Sequence, residues 1–160
     1  MSSAMPAVGT TAPQITLQDA DATSVSLSEF RGRWVVLYFY PKDNTPGCTT
    51  EALEFTALKT DFAARNAVVV GVSPDSCASH RKFIDKKALD VILLSDPDQA
   101  ALTPFGAWGE KSMYGKTYMG VVRSSFLIDP EGVIREVWPK VKAKGHAQAV
   151  LERLDEVAGG

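Results

Sequence analysis

The sequence is short of the features that mark most specialised classes of protein. Its two cysteines stand far apart and its histidines number only two, so no zinc-ligand spacing exists and a structural metal is not expected. Two cysteines are also too few for a secreted disulfide framework and suit a reducing compartment. No stretch approaches the roughly 18 consecutive apolar residues of a membrane span. The formal net charge is only −2, from 17 basic and 19 acidic residues with interspersed signs, which argues against a dedicated nucleic-acid or membrane-surface protein. There is no internal repeat, low-complexity block or linker between residues 13 and 158. Residues 1–12 are small and polar, with neither a basic start nor an apolar signal core. They read as a loose tail, and the expected location is cytoplasmic.

What remains is an ordinary globular composition, 45% hydrophobic and 22% charged over 160 residues, expected to form one domain over 13–160. A chain of about this size buries roughly 68–70% of its unfolded surface, enough for a core without staples. Alternation in Gln14–Gln18 and Ser24–Leu27 predicts an N-terminal β-hairpin turning at Asp19–Thr23. Trp34–Tyr40 is a continuous apolar run ended by Pro41, as expected of a strand buried on both faces. Cys48–Arg65 has Leu53, Phe55, Leu58 and Phe62 near helical spacing. Ala67–Val72 and Val91–Leu94 read as further strands, separated by a helix from Ser76 to about Ala88. Gln99–Phe105 reads as a short helix. Val121–Ile128 and Val133–Trp138 flank the turn Asp129-Pro130-Glu131-Gly132, and Ala147–Ala158 has the apolar spacing of a last helix. The order implies an α/β fold, a central mixed sheet flanked by helices on both faces. Cys48 and Cys77 then fall at the carboxyl edge of the strands, where sites form in open α/β sheets.

A free thiol is mostly protonated at neutral pH, and the thiolate is the nucleophile. The first turn of a helix offers unpaired N–H groups and partial positive charge, both of which favour the anion. Pro46-Gly47-Cys48 puts a sulfur there, with Pro46 fixing the entry and Gly47 admitting a small ligand to the backbone. Thr45 can offer its hydroxyl to the sulfur and to an incoming oxygen. Arg123 sits in an apolar segment where an unpaired guanidinium is costly, so it is expected to face an anion.

The string Pro41-Lys42-Asp43-Asn44-Thr45-Pro46-Gly47-Cys48 resembles the peroxidatic loop of the peroxiredoxins, Pro-x-x-x-Thr-x-x-Cys. Tyr38–Asp43, Thr45–Glu51, Gly71-Val72-Ser73, Leu94-Ser95-Asp96, Gly109-Glu110-Lys111, Tyr114-Gly115-Lys116 and Arg123–Asp129 extend the likeness to the peroxiredoxin Q, or bacterioferritin comigratory protein, branch over residues 8–158. The resemblance implies a thioredoxin-like fold without metal or organic cofactor. It implies a thiol peroxidase that reduces hydrogen peroxide or organic hydroperoxides through a sulfenic acid on Cys48. Thr45 and Arg123 would act as activators and Pro41 as a shield, with Gly47, Pro46 and Tyr38 lining the pocket. Thioredoxin or a related dithiol would be the reductant, and the branch suggests a monomer.

Branch members carry a second, resolving cysteine at positions that here hold Leu53 or Ile84. Cys77 lies two helical turns before Ile84, about 10 Å along the same face. Three readings stay open: a resolving thiol that reaches Cys48 after local unwinding, a packing residue in a one-cysteine enzyme, or a thiol that pairs with another molecule. A dithiol oxidoreductase would need Cys-x-x-Cys, and position 51 is Glu51. A non-catalytic thioredoxin-fold sensor or holdase is the remaining alternative. His80 and His146 are expected on solvent-facing helix positions. The lysines from Lys111 to Lys144 are expected to be solvated, or at most to form a patch for an acidic partner.

Overall fold

The computed structural model describes residues 5–159. Its strands are β1 (Thr16–Asp19), β2 (Ser24–Ser26), β3 (Trp34–Phe39), β4 (Ala67–Ser73), β5 (Ile92–Ser95), β6 (Trp108–Met113), β7 (Lys116–Val121), β8 (Ser124–Ile128) and β9 (Ile134–Trp138). Its helices are α1 (Pro46–Ala57), α2 (Lys59–Ala64), α3 (Cys77–Lys87) and α4 (His146–Gly159). Seven strands form one sheet in the order β2-β1-β5-β4-β3-β8-β9, while β6 and β7 pair only with each other. β3, β4 and β5 run parallel; β8 and β1 add to that unit antiparallel, so the sheet is mixed. The fold is the α/β, thioredoxin-like arrangement expected from the sequence, with the N-terminal hairpin β1–β2 joined to the sheet edge at β5.

Alternation along β3 divides the core. Val35, Leu37 and Phe39 face one cluster; Val36 and Tyr38, with Tyr40 just beyond the strand, face the other. α1, α2, α3 and α4 all bury their apolar residues in the second cluster, through Phe55, Phe62, Phe83 and Leu154 among others. The first is covered by the 3-10 turn Leu27–Phe30 and by a chain of turns carrying Ala101, Leu102 and Phe105, so among the described residues the α-helices pack on one face of the sheet rather than flanking both as expected. The segment 99–105 is turns rather than the expected short helix: Thr103 N–H reaches Gln99 O and Phe105 N–H reaches Ala101 O, but Pro104 between them has no N–H to continue the ladder. The helix expected over Cys48–Arg65 is interrupted at Leu58, and its buried face is Cys48, Glu51, Ala52 and Phe55, leaving Leu53 exposed.

The expected loose tail is a further difference. Residues 1–4 lie outside the described residues, but Gly9–Ala12 are tied down. Gly9 N–H donates to Ile134 O, Ala12 N–H to Gly132 O, and Thr10 O accepts from Ile134 N–H. Ala12 is buried in the core. Backbone pairing on the free edge of β9 fixes this stretch, and small polar side chains carry no signal of it.

Gly71 on β4 lies across from Tyr38, and a Cβ there would stand 2.6 Å from Tyr38 Cζ and 2.9 Å from Leu93 Cδ2. Tyr38 is fully buried and stacked on Phe55 at 4.9 Å, so it cannot swing aside. Gly71→Ala is therefore expected to cost about 1–3 kcal/mol by overpacking. A urea midpoint equal to the parent's would contradict this packing.

Candidate active site

β3 ends under the loop that leads into α1, and antiparallel register puts Ser124 opposite Phe39. Arg123, just before β8, therefore emerges at the same sheet edge as the N-terminus of α1. It sits in the short connection between β7 and β8 rather than inside a strand. Cys48 is the third residue of α1 and is buried, with 1% exposure. Arg123 Nη2 donates to its Sγ at 3.1 Å. The guanidinium lies over Gly47, where an added Cβ would come within 3.3 Å of Nη2, a tight contact that would push the arginine aside slightly.

Arg123 Nη1 donates to Glu51 Oε1 at 2.5 Å. Glu51 is one turn along α1 from Cys48, on the same face, and its side chain has no exposure. Burial pushes its carboxyl up to about 7, against the charge and hydrogen bond of Arg123. Burial also opposes the charge on Arg123, but Glu51 and Cys48 outweigh it and raise the guanidinium pKa. Glu51 Oε2 and the Tyr38 hydroxyl are both buried without a hydrogen-bond partner among the described residues. Tyr38, a candidate for lining the pocket, has no solvent exposure; its hydroxyl is pushed up by burial and then by the nearby charges of Glu51 and Cys48. It belongs to the packing behind the sulfur.

Thr45 is the N-cap residue of α1. Its hydroxyl closes the preceding turn by donating to Lys42 O at 2.8 Å, and no hydrogen bond joins it to Cys48 among the described residues. The expected direct contact with the sulfur is therefore not made, and the hydroxyl oxygen keeps its lone pairs for an incoming donor. Pro41 is half-buried just past β3, while Pro46 and Gly47 are exposed at the start of α1. Beyond Arg123 an open groove of about 750 Å³ is lined by Lys111, Lys140 and Lys142 with Val122 and Val141.

Cys77 opens α3 after Ser76, whose hydroxyl caps the helix by accepting from Ser79 N–H. It is half-buried, its thiol is free, and its nearest polar partner is Gln18 Oε1 at 3.7 Å. Both histidines depart from their expected solvent-facing positions. His80 has no exposure, and its ring bridges Asp43 Oδ2 (2.7 Å) and Leu94 O (2.9 Å). His146 is buried with Nε2 2.8 Å from Ser125 Oγ; burial, then the charge of Arg123, hold its pKa down at about 4.

Sequence reasoning missed Glu51, Asp43 and His80. The spacing of three residues from Cys48 was the available signal for Glu51. Nothing local marks His80, whose partner is 37 positions away.

The elevated carboxyl gives a pH prediction. A native pKa near 7 against an ordinary 4.5 means the native state holds a proton that the unfolded chain has released. Its stabilising effect is complete below 4.5 and fades as pH rises through 7, by up to about 3 kcal/mol. Glu51→Gln is expected to flatten this fall. His146 slopes the other way in both proteins, so the difference in urea midpoints between pH 5 and 8 isolates Glu51. Identical slopes in parent and variant would contradict the assignment.

Known proteins resemble this chain in sequence and in fold. The AhpC/TSA family pattern matches residues 8–137. A putative peroxiredoxin bcp of Helicobacter pylori is 51% identical over 147 residues, covering 92% of this chain and 97% of its own. Peroxiredoxin Bcp of Bacillus subtilis is 44% identical over 151 residues, covering 94% and 96%. Among solved structures, Xanthomonas campestris bacterioferritin comigratory protein, described for its alkyl peroxide reduction activity, superposes with a TM-score of 0.86 at 45% identity, covering 90% of this chain and 92% of that one.

Proposed function

Because the chain belongs to the AhpC/TSA family, and within it to the peroxiredoxin Q branch, we propose that Cys48 is its peroxidatic cysteine, with Arg123, Thr45 and Pro41 completing the site. The protein is a thiol peroxidase. The observation that carries the residue assignment is the 3.1 Å contact from Arg123 to a buried sulfur in the first turn of a helix.

In this reading the Cys48 thiolate attacks one peroxide oxygen. An S–O bond forms, the O–O bond breaks, and the departing alkoxide or hydroxide takes a proton to leave as alcohol or water. Sulfur gives up two electrons and becomes the sulfenic acid. Arg123 stabilises the thiolate and the charge that builds on the leaving oxygen. The free lone pairs of Thr45 Oγ1 accept the peroxide O–H, and Pro41 keeps bulk water from the sulfur. A dithiol then reduces the sulfenic acid, releasing water and becoming a disulfide; thioredoxin is the natural candidate. Alkyl hydroperoxides join hydrogen peroxide as substrates, on the precedent of the Xanthomonas protein.

Cys77 is the candidate resolving thiol, since it is free, half-buried and at the same sheet edge. If it resolves Cys48, peroxide without reductant yields an internal disulfide in the parent, and Cys77→Ser turns over poorly with thioredoxin. Unchanged turnover in that variant would make this a one-cysteine enzyme. A single domain that takes in the pinned segment Gly9–Ala12, a monomer and a cytoplasmic location complete the reading; two unpaired thiols suit a reducing compartment. Among the described residues no helix is long and apolar enough to cross a membrane.

The test is peroxide consumption by purified protein, coupled to a thioredoxin system. Catalytic loss of peroxide is expected. No consumption, with the thioredoxin system shown active on insulin, would overturn the proposal.

A further inference from the structure

A second set of buried polar groups lies beside the site without touching Cys48. Four hydrogen bonds converge on Asp43, midway between Pro41 and Thr45. Its Oδ1 accepts from the Tyr40 hydroxyl at 2.6 Å. Its Oδ2 accepts from His80 Nδ1 at 2.7 Å and from Ser79 Oγ at 2.8 Å. Its backbone N–H donates to Asp75 Oδ2 at 2.8 Å, which also takes the Ser73 hydroxyl. The partners come from the end of β3, the end of β4 and the first turn of α3. The far nitrogen of His80 donates to Leu94 O on β5.

Both ring nitrogens of His80 therefore face acceptors, and only the imidazolium satisfies both. Burial works to raise the Asp43 carboxyl, but hydrogen bonds from His80 and Tyr40, the charge of His80 and the Ser79 hydroxyl together hold it below its ordinary value. Asp43, Asp75 and His80 stand close enough for a cation, yet Asp43 Oδ2 and Asp75 Oδ2 already accept hydrogen bonds.

A buried ion pair is a poor way to stabilise a fold, since apolar side chains of similar volume often do as well. What this pair does fix is a loop. Asn44, the next residue, takes a left-handed conformation (φ 60°), and Thr45 follows as the N-cap of α1. We propose that Asp43 and His80 are positioning residues for the peroxide reaction, holding the loop from Pro41 to Thr45 in its reactive shape and making that shape conditional on the folded first turn of α3. The proposal rests on Cys48 being the peroxidatic cysteine. Cys77 is the first residue of α3 and His80 the fourth, so a movement that frees Cys77 from α3 breaks this anchor and releases the loop. The coupling is reciprocal: releasing the loop loosens the first turn of α3.

The test uses Asp43→Asn, His80→Asn and Ser79→Ala in the full chain. Two single-turnover reactions of Cys48 are compared: oxidation by hydrogen peroxide, which needs the loop, and alkylation by iodoacetamide, read by peptide mass, which needs only the nucleophile. Displacement of substrate-orienting groups by about 1 Å costs up to a hundredfold. The expected result is a peroxide rate about tenfold to a hundredfold lower in Asp43→Asn and His80→Asn, a smaller loss in Ser79→Ala, and alkylation within about threefold of the parent throughout. Faster amide exchange over residues 77–82 is expected in Asp43→Asn. Peroxide rates at the parental level, both reactions slowing in parallel, or unchanged exchange would each overturn the proposal. Should the two charge-removing variants fail to fold, Ser79→Ala decides alone, because it removes one donor and leaves the ion pair intact. A parent that does not react with peroxide sinks the assignment of Cys48; a reactive parent with indifferent variants sinks only the positioning role.

Discussion

Cys48→Ser is expected to abolish peroxide turnover while leaving the fold intact. Serine is close in size to cysteine, and Cys48 makes its polar contact through a single hydrogen bond from Arg123, which a hydroxyl oxygen can still accept. Packing against Ala52 and Phe55 in the helix-side core is little disturbed. Chemistry is lost because an alkoxide is not accessible at neutral pH; the helix N-terminus and one guanidinium favour a thiolate but fall far short of ionising a hydroxyl. Cys77 offers no substitute, lying half-buried at the start of another helix beside Gln18. The check is thioredoxin-coupled peroxide consumption together with circular dichroism. Substantial activity in a folded Cys48→Ser protein would refute the assignment.

Arg123→Ala is expected to lower the rate of Cys48 oxidation by about a hundredfold to a thousandfold, the range found when a preorganised charge-stabilising donor is removed. Two losses combine. The sulfur loses its donor, and Glu51 loses the partner that holds its carboxyl down to about 7. With that pull gone, burial leaves Glu51 protonated across neutral pH, which limits the damage to stability because the neutral acid is the form burial tolerates. Arg123→Lys should fall between, since an ammonium keeps the charge without the fork that spans Cys48 and Glu51. Stopped-flow oxidation rates decide the matter, and a rate for Arg123→Ala within a few-fold of the parent would show that another group activates the thiol.

Those features of the fold that were legible in the chain are carried by strong local signals. The run Trp34–Tyr40, ended by Pro41, reads as a buried strand, the turn at Asp129–Gly132 marks a hairpin, and the apolar spacing of α4 is unbroken. The motif that marks the candidate site was visible for the same reason, since Pro41, Thr45 and Cys48 stand close together in the chain. The hairpin of β6 and β7 was not, because it stands apart from the main sheet and is exposed along most of both strands, so no alternation of apolar residues records it. Its tip, with Tyr114 at 96% exposure, looks like any polar loop. The pinned segment Gly9–Ala12 is held by backbone groups, which every residue possesses. The burial of His80 depends on an aspartate far away in the chain, and proximity of that kind is a property of the topology rather than of any window of sequence.

One measurement bears most directly on Cys48: intact and peptide mass spectrometry after one equivalent of hydrogen peroxide, with a sulfenic-acid trap present, on the parent and on Cys77→Ser. Addition of one trap molecule to Cys48 in Cys77→Ser is the predicted result, with either the same adduct or a Cys48–Cys77 disulfide in the parent. Peroxide-treated protein with Cys48 unmodified in both, or with oxidation confined to Cys77, would contradict the account.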